Sequence, residues 1–218
     1  MDALDFCPIG YFPTINQTAI KIVIKVVIVI AWIIKMSKIL VLGCGKKGFE
    51  SKESDQVITV DINPNVGADV IHNLDQFPYP FQDNEFDQIH LDNVLEHLTD
   101  IIAVMEELHR ISKPNSKITI IVPYFRSIWA HLDPTHKHFF TVDTLSYFDV
   151  DHMYHHRYAY SLTAKFKIHK KAFNENIDKS WFRHIMLVWA NKWPNFYESN
   201  FSHIYPMEDL TYHLETVK

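Results

Sequence analysis

Lys38-Ile-Leu-Val-Leu-Gly-Cys-Gly-Lys-Lys-Gly48, followed by Val57-Ile-Thr-Val-Asp-Ile-Asn-Pro64, decides the fold of this chain. Both begin as short, apolar, β-branched runs of the kind that form buried strands. The first run stops at a glycine turn, where the missing Cβ lets the backbone bend sharply and approach a ligand closely. The second stops at Asp61, a carboxylate at a strand tip that can accept both hydroxyl protons of a ribose. Together the two strand ends describe a pocket for a ligand that contains adenosine.

The spacing between them bears on which ligand. Gly43-Cys-Gly-Lys-Lys-Gly48 has the form G-x-G-x-x-G, which by itself identifies nothing. A dinucleotide site needs the third glycine to open a full helix whose N-terminus faces a pyrophosphate. Only Phe49 to Gln56 separate Gly48 from the second strand, enough for about two helical turns at most. S-adenosylmethionine has no phosphates, so a short turn with exposed backbone groups suffices for its amino-acid end. A nicotinamide-dependent dehydrogenase stays open as the rival reading.

Outward from this region the pattern alternates between strand and helix. Further strands are predicted at Ala68–Ile71, Phe86–Leu91 and Lys117–Val122. Between the last two, Ile101, Val104, Met105, Leu108 and Ile111 recur at helical spacing behind Asp100, a suitable N-cap. Lys113-Pro-Asn-Ser116 is then predicted to stop the helix and turn the chain. Strands linked by helices imply right-handed crossovers and a mainly parallel sheet. Beyond Phe148 a strand over Ser161–Lys171, an amphipathic helix over Trp181–Trp193 and a closing strand over Asp209–Val217 are predicted. The expected fold class is α/β, Rossmann-like, with helices on both sides and one antiparallel closing strand.

The chain has 218 residues, an apolar fraction of 47% and a charged fraction of 22%, which suit a single domain with a real core. Its formal charge of −5 gives no global attraction to nucleic acid. Cys7 and Cys44 make no disulfide framework and favour a reducing, cytoplasmic location. Residues 1–35 differ in texture from the rest of the chain. Lys21 and Lys25 interrupt the Ile/Val-rich stretch 20–34, and its longest apolar run is nine residues, well short of the ~18–20 a spanning helix needs. Three readings stay open for it: an element added to the domain, a membrane-surface anchor, or a dispensable or non-native extension. The main domain would then occupy 36–218, with the cofactor-binding core at 36–148 and a C-terminal cover at 149–218.

The most specific pattern lies in mid-chain. Asp75-Gln-Phe-Pro-Tyr-Pro-Phe-Gln-Asp-Asn-Glu-Phe-Asp-Gln-Ile89 leads into Leu95-Glu-His-Leu98, and Arg110-Ile-Ser-Lys-Pro-Asn115 comes next. These segments resemble class I S-adenosylmethionine-dependent methyltransferases, in particular the small type 11-like group, from about Lys38 to Phe148. The resemblance implies the cofactor and its contacts. Gly43, Cys44 and Gly45 would pass under the methionine moiety, and Asp61 would hold the ribose, with Ile62 against the adenine. Asn73 and Leu74 would read the adenine edge, and Leu91, Asp92 and Asn93 would border the sulfonium. Two positions depart from the family pattern: Val41 and Asn73 stand where acidic residues are usual. They motivate the alternative of a silent cofactor-binding regulatory protein.

Methyl transfer needs alignment and sometimes a proton acceptor, so no compact catalytic motif is required. His97 and His136 are the candidate bases. Tyr124, Arg126 and His138, past the fifth strand, are the candidate acceptor contacts, with a small-molecule or glycan-type acceptor expected. His97 reads equally well as a turn residue bonded to backbone, and Tyr124 as a lid. His131-Leu-Asp-Pro-Thr-His-Lys-His138 invites a metal reading, but histidines two apart share no helical face and no second cluster has ligand spacing, so no metal is expected.

Overall fold

The computed structural model describes residues 36–46, 49–158, 163–174 and 181–218, together with Lys21, Ile22, Ile24 and Lys25, which are helical. The rest of the 1–35 extension, and with it the choice among its three readings, lies outside the described residues. Contacts divide the chain into Met1–Met36 and Ser37–Lys218, and the second unit holds the sheet and the clefts at its edge. No helix among the described residues is long and apolar enough to cross a membrane.

Seven strands form one sheet: β1 (Lys38–Leu42), β2 (Gln56–Asp61), β3 (Val70–Ile71), β4 (Phe86–Asp92), β5 (Ser112–Pro123), β6 (Phe166–Asn174) and β7 (Asp209–Thr216). Their order is β3-β2-β1-β4-β5-β7-β6. The β3/β2, β2/β1, β1/β4 and β4/β5 pairs are parallel, and β7 runs antiparallel to both neighbours. Chain order reverses between β1 and β4, which makes that crevice the topological switch point where open α/β sheets bind ligands.

Register explains the core. Leu40 sits beside Ile58 and Ile89, Ile89 beside Ile118, and Ile118 beside Leu214. One residue-pair further on, Leu42, Val60, Leu91, Ile120 and Tyr212 form a second row. Strand alternation puts both rows on one face. They are buried in a single cluster with the apolar stripe Val104, Met105, Leu108 and Ile111 of helix α1 (Ile101–Ile111). Asp100 caps α1 as expected, its side chain accepting from Ala103 N at 3.0 Å.

Three elements differ from their sequence-based expectation. The helix stops at Ile111 and β5 starts immediately, at Ser112, which pairs with Phe86. Lys113–Ser116 is therefore a bulge within a strand rather than a turn before one. Asn115 takes a φ of +61° there, and Ser116 Oγ donates to Phe86 O. The tail strand lies at Phe166–Asn174 instead of Ser161–Lys171, because Asn191 brackets Phe173 N and O at its far end. The tail helix spans Trp181–Lys192, within a residue of its expected end, but a further, unexpected helix, Pro194–Asn200, follows it with proline at its start.

Candidate active site

At the end of β1 the chain turns through Gly43 (φ +66°) and Gly45 (φ +54°). Gly43 N and Cys44 N donate to Val60 O at 2.8 and 3.1 Å, tying the turn to the end of β2. Asp61 lies beside it: its two oxygens accept from Gly45 N at 2.9 Å and Asn63 N at 2.8 Å. A carboxylate has about four lone-pair positions, so each oxygen keeps one for a ligand. Burial and the neighbouring Asp61 charge raise the Cys44 thiol above its ordinary range, which leaves it neutral in the turn. Across the crevice β4 ends in Asp92 and Asn93. Asn93 holds the left-handed conformation at φ +53°, its N–H donating to Ile121 O and its amide to Asp92 Oδ1.

Three cavities open around these residues. One, of about 330 Å³, is lined by Gly43, Asp61, Ile62, Asn73, Leu74, Asn93 and His97 among others. A second, of about 410 Å³, runs along Gly43–Lys46, Leu91, Asp92 and Asn93. The third, of about 610 Å³, is bounded by Asn93, Glu96, His97, Trp129, Asp133, His136 and Asp209. Asn93 lines all three, and His97 lines the first and the third. The first two have the combined dimensions of a nucleoside-sized ligand site, and the third adjoins them.

The third cavity is built by two short segments. Leu95–His97 forms a 3-10 turn, and the carbonyl of Glu96 accepts from Lys137 N at 2.8 Å and His138 N at 3.3 Å. These bonds bring His136 against the turn, and the His97 and His136 rings meet edge to face at 4.6 Å. Helix α2 (Ile128–Leu132) supplies Trp129 and Leu132 to the wall. Glu96 is buried among them, and neither of its carboxylate oxygens has a hydrogen-bond partner. Burial, reinforced by Asp209, Asp92 and Asp133, pushes its carboxyl up to about 7. Burial and the adjacent His136 hold His97 below the ordinary histidine range.

The residues proposed for the cofactor converge: Gly43, Cys44, Gly45, Asp61, Ile62, Asn73, Leu74, Leu91, Asp92 and Asn93 all line one or both of the first two cavities. His97 and His136 also meet. The three acceptor candidates do not join them. Tyr124 is fully buried, its ring edge to face with those of Phe125 and Phe173, so it is a core residue rather than a lid or an acceptor contact. Arg126 is exposed, its guanidinium over the Phe125 ring. His138 bonds Thr99 O and lines none of the three cavities. Glu96, Trp129, Asp133 and Asp209 were not singled out from sequence. For Glu96 the usable signal was an acid enclosed by Leu95 and Leu98.

Comparison with known proteins agrees with this geometry. Residues 40–120 match the family model described as a methyltransferase domain. A 2-phytyl-1,4-naphtoquinone methyltransferase from Nostoc sp. is 45% identical over 42 residues, covering 19% of this chain and 18% of the relative. The chain thus aligns with less than a fifth of that curated relative. A SAM-dependent methyltransferase from Archaeoglobus fulgidus superposes with a TM-score of 0.53 at 17% identity, covering 92% of this chain and 95% of the other. One from Mesorhizobium loti gives 0.54 at 13% identity, over 83% and 91%. The fold is the Rossmann-like fold of these two methyltransferases, and residues 40–120 match a methyltransferase domain; S-adenosylmethionine is the cofactor those two structures are named for.

The residues present fit that cofactor. Space above Gly45 is open, with no atom within 4 Å of where its Cβ would stand. Asp61 retains acceptor capacity for ribose hydroxyls. The described residues between β1 and β2 contain no helix to meet a pyrophosphate, which disfavours the dinucleotide rival.

Proposed function

We propose that this protein transfers the methyl group of S-adenosylmethionine to a small organic acceptor seated in the cavity beneath Trp129. One observation carries the reading: Asn93 and His97 belong both to the cofactor cleft and to that cavity, so the two compartments share a wall. S-adenosylmethionine supplies an electrophilic methyl group on a sulfonium. The chain supplies position and proton handling. Asp61 anchors the ribose, and the Gly43–Gly45 turn gives the amino-acid end a floor of backbone groups. Asn93, fixed by its bonds to Ile121 O and Asp92, sets where cleft and cavity meet. At the cavity floor His97, His136 and Glu96 present acceptor atoms to a proton leaving an acceptor hydroxyl or amine.

The mouth narrows the acceptor class. Trp129 and Leu132 are exposed there, and the floor is acidic, with Glu96, Asp133, Glu208 and Asp209. An acceptor with an apolar body and one ionisable oxygen or nitrogen matches this better than a glycan. A silent cofactor-binding subunit has no use for a buried acid without a partner, which is costly to keep.

The test uses methyl-labelled S-adenosylmethionine with a panel of phenols, quinols and hydrophobic amines. Naphthoquinone-type acceptors head the panel because the Nostoc relative is named for one. Label on an acceptor, with release of S-adenosylhomocysteine, is expected. Absence of S-adenosylmethionine binding by calorimetry would end the reading. Binding with no transfer to any panel member or cell-extract acceptor would turn it into the silent-subunit alternative.

A further inference from the structure

Glu96 is only 1% exposed, and neither carboxylate oxygen has a hydrogen-bond partner. A pair of imidazoles faces it. His136 Nε2 lies 3.9 Å from Glu96 Oε1, too far for a hydrogen bond. One ligand atom from each of Glu96, His97 and His136 can be chosen so that all three lie within 4.8 Å of one another.

The hydrogen bonds around the two rings settle where their lone pairs point. His136 Nδ1 is 3.0 Å from the Ala130 carbonyl, which only accepts, so Nδ1 carries the ring hydrogen. The Thr135 hydroxyl donates to Asp133 Oδ1 at 2.7 Å and therefore accepts from His97 Nδ1 at 2.9 Å. In the neutral rings both Nε2 atoms are then bare acceptors. Each of the three side chains thus keeps an acceptor atom, and none of them supplies a hydrogen to another.

We propose that Glu96, His97 and His136 bind a divalent first-row metal ion, with its remaining coordination positions open to the cavity. A dication satisfies all three acceptors at once. Two imidazoles and one carboxylate favour zinc, iron or manganese over calcium or magnesium. The outer bonds, His136 to Ala130 O and His97 to Thr135 to Asp133, are the kind that orient metal-bound histidines and fix their tautomers. Neighbouring ligand atoms around such an ion, at bonds of about 2.0–2.2 Å, stand roughly 3.0–3.6 Å apart. A pair that stands at the 4.8 Å limit therefore has to close by about 1 Å on binding. The cavity also carries Asp133, Asp209 and Glu208, the last paired with Arg183, and among the described residues that line it there is no Lys or Arg. If the protein methylates the class of acceptor proposed for it, the bound ion would take over from the three side chains, whose lone pairs it occupies, and its open positions would hold the acceptor's ionised oxygen. That role rests on the proposed function, whereas ion binding does not.

The experiment uses the full chain stripped with chelator and titrated, without S-adenosylmethionine, with Co²⁺ by visible absorption and with Zn²⁺ by calorimetry. One ion per chain with micromolar or tighter affinity is expected, and bound Co²⁺ should show visible d–d bands. Glu96→Gln and His136→Asn should each weaken binding at least ~100-fold, and Thr135→Val, which removes the outer bonds to His97 and Asp133 but no ligand atom, by about 10-fold. Circular dichroism checks that each variant is folded, and Thr135 is exposed enough for that variant to be safe. A wild-type chain that binds Co²⁺ no tighter than millimolar overturns the proposal, as does a folded Glu96→Gln that binds like wild type. S-adenosylmethionine is titrated into the stripped protein in parallel. Retained nucleoside binding without ion binding counts against the metal site alone, and ion binding without nucleoside binding counts against the proposed function alone.

Discussion

A Cβ placed on Gly43 would stand 2.2 Å from Val94 Cγ2, and the residue's φ of +66° is one that side chains disfavour. Gly43→Ala therefore carries two separable penalties. The left-handed backbone costs about 1–2 kcal/mol, and the overlap with Val94 adds about 1–3 kcal/mol of overpacking. Urea unfolding should report their sum. In Gly43→Ala/Val94→Ala the overlap vanishes but the backbone cost stays, so the double variant should lose less than the two single losses added together. Strict additivity would show that Val94 is not what the glycine avoids. Gly45 differs: its Cβ would meet nothing within 4 Å, so Gly45→Ala would keep the fold better while placing a methyl group in the cofactor cleft.

At the level of elements, Arg110 joins α1 to the loop that precedes β4. Its Nε and Nη2 donate to Glu107 at 2.8 Å each, its Nη1 to Asp83 Oδ1 and Phe81 O, and its Nη2 also to Tyr79 O. All five guanidinium hydrogens are thereby used, in a planar fork that an ammonium cannot copy. Arg110→Lys should cost about 2 kcal/mol in a denaturant melt, the scale of losing charge-assisted bonds from a side chain that is mostly covered. An unchanged midpoint would mean the loop is held by other contacts. This cross-chain role was not legible beforehand: the sequence places Arg110 in a helix-end motif and says nothing of a loop almost thirty residues earlier. β1 and β2 were legible because each is an apolar run stopped by turn residues, and β4 because Ile89 and Leu91 alternate with polar residues. The start of β5 was not, since Ser112–Ser116 is polar and contains proline, yet pairs once and then bulges. Tyr124 was misread although its parity was visible: Ile118, Ile120, Val122 and Tyr124 alternate on the buried face. For Glu96 the flanking Leu95 and Leu98 were the only signal on paper, and the 133–138 loop, bonded to the 3-10 turn, completes its burial.

Across the whole molecule, the sheet and tail bury several histidines in neutral surroundings, and this sets the acid side of the stability curve. Burial lowers His90, His109 and His213 below the ordinary histidine range, with His90 and His213 further disfavouring charge through like-charge neighbours. Register places Thr119 between His90 and His213 on one sheet face, and His109 bonds Val217 O while its ring meets Phe166. Their folded affinity for protons is lower than the unfolded chain's. The unfolded state therefore binds more protons as pH falls below about 6.5, and stability is lost there, by at most ~1.4 kcal/mol per pH unit for each group. Glu96 works in the opposite direction between its unfolded value and about 7, and roughly offsets the contribution of His97, which is depressed likewise. A later loss comes at lower pH, as Asp143, Glu107 and Glu85, held low by Lys171, Arg110 and Lys38 against the pull of burial, become protonated. The urea midpoint of the metal-free chain should therefore fall from pH 7.5 to 5.5, well before the carboxylates titrate. In His109→Gln the fall should be shallower, because one of the three proton uptakes on unfolding is gone. A midpoint that is flat or rising over that interval would show that these histidines charge in the folded state despite their burial.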